Sequence, residues 1–183
     1  RITHHASRNT NKTMALMNNI SMGDQTMPLD MAAFTSFLVE AKRSARPASK
    51  VGELQDEMPG AIQLEYSRGL YTYKNIYYGF ERFSGQETVH FEGRPVWGMG
   101  YNGGLINHYM WDLQPQWIYA VLRSALAKVS EELPFRGPLN YEYYGFEYNN
   151  HPIGHLAEFL GEETIKYRDS MVYHLWYVGG FIR

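Results

Sequence analysis

The chain has no cysteine, which excludes disulfide bonds and thiolate metal sites. It also lacks any apolar run close to the ~20 residues that a membrane-spanning helix needs. Positive charge is not in excess, because 17 basic residues stand against 19 acidic residues and leave a net charge of −2. That balance gives no long-range attraction to nucleic acid. We therefore expect a cytoplasmic protein that binds neither nucleic acid nor membranes directly.

Common catalytic and cofactor motifs are missing as well. The sequence contains no P-loop, no GxGxxG after a strand, no GxSxG and no HExxH. His151 and His155 have a spacing that suits zinc on a helix, but Pro152 and Gly154 between them oppose a helix. No acidic residues of recognisable spacing join them or His174. We therefore expect no metal, no cofactor and no identifiable catalytic residues.

The beginning of the chain differs from the rest. Residues 1–26 are rich in Asn, Thr and His, contain no aromatic residue and show no apolar period. This segment is therefore predicted to be a disordered or non-native tail. Residues 27–183 have a length that fits a single domain, and 44% hydrophobic and 15% aromatic residues in the whole chain can supply its core.

Two helices are predicted from the apolar periodicity. The first runs from Met31 to about Arg43, with Asp30 as its N-cap and apolar residues at i, i+3, i+4 and i+7. The second runs from about Pro115, which suits a first helical turn, to Ser130. Its apolar side is predicted to carry Trp117, Val121, Ala125 and Val129, next to Ile118, Leu122 and Leu126.

The stretches 61–109 and 139–181 predict strands, because aromatic and β-branched residues recur there with glycine between them. Glu92-Gly93-Arg94 is predicted to be a hairpin turn, and residues 45–60 a polar loop. The expected fold class is therefore α+β, with antiparallel sheet(s) and two main helices.

The strongest internal signal is a repeat. Phe83 to Gly104 aligns without gaps on Phe159 to Gly180 at an offset of 76 residues, with eight identities in 22 positions. Both copies open with FxGxET and close with a tyrosine and a pair of glycines. The alignment predicts two equivalent β-hairpins in two halves, about 30–110 and 111–183, each a helix followed by strands. Chance similarity between two hairpins is the alternative explanation.

Strand alternation divides the last strand of each hairpin into two faces. Trp97 and Tyr101, with Tyr173 and Tyr177 in the second copy, are predicted to face the core. The opposite face carries glycines in the first copy and larger side chains in the second: Gly98, Gly100, His174 and Trp176. The glycines predict bare backbone that a ligand can approach, or a place covered by a large side chain or a helix.

Three charged residues are candidates for chemistry or anchoring. Glu87 and Glu163 are equivalent in the repeat, and they are interpreted either as an acid pair in a cleft or as structural carboxylates that accept backbone N–H groups. Arg136, in a tight segment before the later strands, could bind a carboxylate or phosphate, or pair with one of these glutamates. Alternating tyrosines on the strands suit either a flat ligand or a dimer interface.

These motifs resemble those of the bacterial domain of unknown function 5680 family. The likeness covers about residues 34–182 and rests on FLVEAK, the SGQE…PVWGMGYNG run, LPFRGP and the LGEETIKYRDSMVYHLWYVGG end. Gly100 departs from the family pattern, which has Asn after Trp-x-Met. The resemblance implies relatives that occur alone or fused behind Xre-type helix-turn-helix regulators, and it implies no established activity.

Together these features predict a small-molecule-sensing or protein-interaction domain, as an effector module of transcriptional regulation. The alternatives are an enzyme that uses the paired glutamates and Arg136 on a small polar substrate, and a structural dimerisation module. The expected partners are a small-molecule ligand and a second copy of the chain. The predicted ligand-binding residues, at a cavity between the two halves, are Glu87, Trp97, Gly98, Gly100, Tyr101, Arg136, Glu163, His174 and Trp176.

Overall fold

The computed structural model describes residues 19–22, 25–47, 58–106 and 113–182. Within these ranges the chain forms two helices and eleven strands, in the order β1 (Asn19–Met22), β2 (Gln25–Pro28), α1 (Met31–Ser44), β3 (Arg46–Pro47), β4 (Ile62–Arg68), β5 (Tyr71–Gly79), β6 (Arg82–Phe91), β7 (Arg94–Leu105), α2 (Pro115–Leu126), β8 (Asn140–Tyr143), β9 (Phe146–His155), β10 (Glu158–Tyr167) and β11 (Ser170–Phe181).

The prediction of a disordered tail falls mostly on residues 1–18, which lie outside the described residues. At the end of that segment, β1 and β2 pair with each other as a separate two-stranded antiparallel sheet. Part of the predicted loop 45–60 is also described, as the two-residue strand β3.

Helix α1 follows the prediction. The carboxylate of Asp30 accepts a hydrogen bond from the backbone N–H of Ala32 at 2.9 Å, and the buried side chains are those of Phe34, Phe37, Leu38, Val39 and Ala41.

Helix α2 is shorter than predicted and ends at Leu126 rather than Ser130. Lys128 and Val129 donate backbone hydrogen bonds to carbonyls only three residues earlier, so the chain tightens and leaves the helix. On the apolar side predicted for α2, Trp117 does not reach the core, because this side chain is 53% exposed. Ile118, the next residue, is fully buried and takes the core position in the first turn.

The main sheet has nine strands in the order β3-β4-β5-β6-β7-β11-β10-β9-β8, and every neighbouring pair is antiparallel. The strands that follow α1 form one half of this sheet and the strands that follow α2 form the other. The two halves meet where β7 pairs with β11. The predicted α+β fold class with an antiparallel sheet and two main helices is therefore confirmed.

The register of the sheet repeats as the sequence alignment predicts. Phe83 to Gly104 and Phe159 to Gly180 are both β-hairpins, and each has a bulge at the same aligned position, after Val89 and after Ile165. Tyr101 pairs directly with Tyr177, its equivalent in the repeat, so a local twofold axis passes between these residues.

The helices cover one face of the sheet, and we call it the core face. Trp97, Met99 and Tyr101 of β7 point to this face and are at most 7% exposed. The ring of Phe34 in α1 lies 6.4 Å from the ring of Trp97, which ties the first helix to the centre of the sheet. Trp97 and its equivalent Tyr173 are both fully buried, as predicted. The opposite face of the sheet is called the outer face.

Candidate functional site

Four charged side chains meet on the core face beneath the helices, and we call them the ion cluster: Lys42, Glu87, Arg136 and Glu163. Arg136 donates to Oε2 of Glu163 from Nε at 3.2 Å and from Nη2 at 2.8 Å, and its Nη1 lies 3.9 Å from Oε1 of Glu87. Lys42 pairs with Glu87 and also donates to the Phe135 carbonyl at 2.8 Å. Each side chain in the cluster is at most 9% exposed.

Buried tyrosines lie against the two carboxylates. Tyr148 donates to Oε1 of Glu163 at 2.6 Å and Tyr173 donates to Oε2 at 3.0 Å, so both oxygens of Glu163 are occupied. Tyr73 is buried beside Glu87, whose negative charge helps to raise the pKa of this phenol. Burial, reinforced by the nearby carboxylates, raises the pKa of the five buried tyrosines Tyr73, Tyr101, Tyr148, Tyr173 and Tyr177.

The two cations of the ion cluster respond differently to burial. Burial lowers the pKa of Lys42, and the attraction of Glu87 opposes that change. Burial also works against the charge of Arg136, but the negative groups around it, Glu163 first, hold the pKa of Arg136 well above its ordinary value. The arginine therefore stays charged in its buried position, whereas the lysine is the member that can release a proton.

The two glutamates are equivalent, but their cations come from different elements. When the buried stripes of the helices are aligned, Lys42 of α1 corresponds to Leu126 of α2. Arg136 lies in the loop before β8, and the matching position before β4 is Ala61. Of the two interpretations of the glutamates, acceptance of backbone N–H groups does not hold for Glu163, whose hydrogen-bond partners among the described residues are side chains. Arg136 pairs with Glu163, which is the second of the two interpretations given for this residue.

The glycine of each FxGxET motif makes room for a tyrosine. Gly85 is the register partner of Tyr101, and a Cβ at Gly85 would lie 2.4 Å from the tyrosine hydroxyl oxygen. The bare glycine lets the ring cross the neighbouring strand, so its hydroxyl donates to Asn75 at 2.6 Å. Gly161 gives Tyr177 the same freedom, and that hydroxyl donates to Asn150 at 2.7 Å. The repeat therefore reproduces a Gly–Tyr–Asn unit in each half.

A groove opens between α2 and the core face of the first half, and we call it the α2 groove. It consists of two adjoining cavities of about 370 Å³ and 340 Å³ that share Leu64, Asn75, Arg123, Leu126 and Arg136. The larger cavity has aromatic walls formed by Tyr77, Phe80, Phe83, Tyr101 and Tyr119. The other reaches Lys42 and Glu87 of the ion cluster. These volumes fall within the range of small-molecule sites, ~300–1,000 Å³.

The equivalent space in the second half is filled. Phe159 corresponds to Phe83, and its ring lies 5.7 Å from Trp97 on one side and 4.5 Å from Phe135 on the other. Phe159 is therefore only 3% exposed, whereas Phe83 lines the α2 groove. The groove is thus a feature of one half and not a consequence of the duplicated fold.

The predicted site residues divide between the two faces of the sheet. Glu87, Tyr101 and Arg136 line the α2 groove, while Trp97 and Glu163 are buried beside it on the core face. The outer face carries the other four: Gly98, Gly100, His174 and Trp176. Strand alternation causes this separation, because successive residues of β7 and of β11 point to opposite faces. One cavity cannot contain both groups.

Several groove residues are not among the predicted ones. Asn75 and Asn150 are equivalent at an offset of 75, one residue less than the offset of the hairpins, so an ungapped alignment does not extend to them. Allowing one gap between the strands would find them. Lys42 and Tyr119 carry no comparable signal, because each reaches the groove from a helix.

The histidines considered for a metal site lie on the second half of the sheet. The Nε2 atom of His174 is 3.2 Å from a carboxylate oxygen of Glu162, and His151 and His155 lie on β9. Within the described ranges, no three residues of the types His, Cys, Asp and Glu are grouped closely enough to hold a metal ion. Neither α1 nor α2, the helices in the described part of the chain, has the length and hydropathy to span a membrane.

The fold and site define an α+β protein of two helix-plus-strands units, in which one unit leaves an open groove above a buried ion cluster. The family named Domain of unknown function (DUF5680) matches residues 75–182, more than half of the chain, and the protein belongs to this family. The matched range contains Glu87, Arg136 and Glu163 and excludes Lys42. No curated protein and no solved structure matches the chain.

Proposed function

We propose that this domain binds a small, largely apolar molecule in the α2 groove and acts as a ligand-sensing module. The observation that carries the proposal is the difference between the halves. The same scaffold position is packed solid around Phe159 and open beside Phe83. Open space in a core costs stability, because the atoms that line it lose packing partners. A site for one asymmetric ligand requires open space in one half only, as is found beside Phe83.

The walls of the groove favour a flat ligand with one acceptor group. Tyr77, Phe83 and Tyr101 offer aromatic surface, which suits rings and other planar apolar groups. In the larger cavity the polar side chains other than the tyrosines are few: Asn75, Arg136, and Arg123 at the exposed rim. Among the described residues, Arg123 forms no ion pair, so its charge is free to meet a carboxylate. The ligand class that fits best is therefore an aromatic monocarboxylic acid.

A ligand in this groove would touch elements of both halves. Tyr119 of α2 already bonds to the Phe80 carbonyl in the turn between β5 and β6, and burial raises the pKa of Tyr119 to about 12. A bound molecule would add contacts across the same boundary and would stabilise the position of α2 on the first half. Such a change can be transmitted to a fused regulator, and the role in transcriptional regulation rests on the family resemblance alone.

The test is a thermal-shift screen of aromatic carboxylic acids against their neutral amides. Leu126→Trp places a large ring in the groove without removing a charge, and Gln116→Trp adds the same ring at an exposed position of α2. At a ligand concentration of about 100 times Kd, binding stabilises by about 2.7 kcal/mol, which shifts Tm by several degrees. We expect acids to shift the wild type and Gln116→Trp but not Leu126→Trp. Equal shifts in all three proteins, or none with any acid, would contradict the proposal.

A further inference from the structure

The outer face of the sheet exposes an apolar stripe on the side that no described helix covers. Direct register pairs place six residues in one row across six strands: Ile76, Gln86, Gly100, Val178, Leu160 and Ile153. Ile153 is 66% exposed, Leu160 48% and Val178 60%, and Trp176 beside the row is 56% exposed. These four exposed side chains form one apolar patch on the second half, while Gln86 and Gly100 separate the patch from Ile76 in the first half. An exposed apolar patch of this kind is unusual on a protein that acts alone.

The stripe contains a projection and a gap at equivalent positions of the repeat. Gly100 of β7 corresponds to Trp176 of β11 at the offset of 76 residues. A Cβ at Gly100 would meet no atom within 4 Å, so the surface there is open. Trp176 stands out from the sheet and is held edge to face by the ring of His174, with centroids 4.9 Å apart. The local twofold axis between Tyr101 and Tyr177 relates the two positions.

We propose that the outer face is a homodimer interface in which Trp176 of each copy packs onto Gly100 of the other. Consider a twofold axis that lies between the outer faces of the two copies, parallel to the sheets and perpendicular to the line from Gly100 to Trp176. Rotation about this axis places Gly100 of one copy opposite Trp176 of the other. One rotation therefore places both tryptophans over both glycines, which is the self-complementary arrangement of a closed dimer. The interface is independent of the α2 groove, which lies on the opposite face of the sheet.

The available area and the charges support a second copy as the occupant. Strands β5, β6, β7, β11, β10 and β9 have nine to twelve residues each. With a spacing of ~4.8 Å and a rise of ~3.3 Å per residue, their outer face measures roughly 900 Å². A stable dimer buries about 800 Å² on each partner. The carboxylate of Glu162, next to Trp176 in register, lies 3.2 Å from Nε2 of His174, so it keeps a hydrogen-bond partner when the contact forms.

The test is a swap of the two residues in the full chain, with the dimer Kd measured by sedimentation equilibrium. Trp176→Gly removes the projection, and Gly100→Trp fills the gap, where the open surface accepts a side chain. Each single variant should raise Kd about 30-fold or more, as loss of a central tryptophan contact does. The double variant, Gly100→Trp with Trp176→Gly, recreates both features in exchanged halves and should recover at least about tenfold of that loss.

Trp117→Gly is the matched control, since Trp117 is 53% exposed on α2 and far from the outer face. Its Kd should equal that of the wild type. A wild-type protein that is monomeric at about 100 μM overturns the proposal. A double variant that dimerises no better than the single variants also overturns the proposal. A nonspecific apolar contact, or coverage of the outer face by a segment of the same chain, would gain nothing from swapping the residues at positions 100 and 176.

Discussion

Replacing Glu163 by glutamine removes the negative charge on which the buried arginine depends. Arg136 makes two hydrogen bonds to one oxygen of Glu163 and cannot release its own proton. The remaining carboxylate, that of Glu87, is 3.9 Å from Nη1 and is already paired with Lys42. In Glu163→Gln an amide NH₂ group also replaces one carboxylate oxygen. Tyr148 donates to one of these oxygens and Tyr173 to the other, so the NH₂ group faces a hydrogen-bond donor in either orientation.

We expect Glu163→Gln to lower the free energy of unfolding by about 3–5 kcal/mol, the usual result of breaking a buried ion pair from one side. Glu87→Gln should cost less, about 1–3 kcal/mol, because its partner Lys42 already has a lowered pKa and can become neutral. Removing both charges, as Arg136→Met with Glu163→Met, should cost less than Glu163→Gln alone, since no buried charge remains unpaired.

Urea unfolding followed by far-UV circular dichroism measures these differences. Glu162→Gln is the control, because it is the adjacent residue, its side chain is 34% exposed, and it should change stability by less than about 0.5 kcal/mol. If Glu163→Gln and Glu162→Gln have the same effect, or if Glu87→Gln is the more damaging variant, then the ion cluster is not organised around Arg136 as described.

Three further outcomes follow from the packing and the titrating groups. Gly161→Ala should cost about 1–3 kcal/mol in urea unfolding, because its Cβ would lie 2.3 Å from the ring of Tyr177, while Gly100→Ala, with no atom of the same chain within 4 Å, should be neutral at protein concentrations below the dimer Kd. Trp97→Ala should cost about 3–5 kcal/mol, as large aromatic truncations in a core do, and a loss below about 1 kcal/mol would contradict its central position. The five buried tyrosines have raised pKa values in the folded state, so their contribution to stability is complete below pH ~10 and is lost as the pH rises above it, by about 1.4 kcal/mol for each tyrosine and pH unit. Thermal melts and phenolate absorbance between about pH 9 and 11 should show cooperative alkaline unfolding, and the lowered pKa of Lys42 acts in the opposite sense. Ionisation of these five tyrosines near pH 10 without unfolding would refute this.

The duplicated framework could be predicted from the sequence because its signals are local. An ungapped offset of 76 residues predicts the same register in both hairpins, and their shared bulge follows the same alignment. The pairing of Tyr101 with Tyr177 joins the two halves and is visible only in the structure. Alternation along β7 and β11 likewise separates the buried from the outward residues without knowledge of the rest of the fold. The cap at Asp30 depends on residues only two and three positions away.

The partners of the glutamates and the location of the groove were decided by tertiary packing. Lys42 lies 45 residues from Glu87 and Arg136 lies 27 residues from Glu163, and each meets its carboxylate only where a helix or loop crosses the sheet. Period-2 alternation cannot show which helix covers which strands, so it could not indicate that Phe159 is enclosed while Phe83 borders open space. Two equivalent sequences therefore specify equivalent strands, but the helices and the connecting loop, which are not equivalent, make one half a packed core and the other a groove.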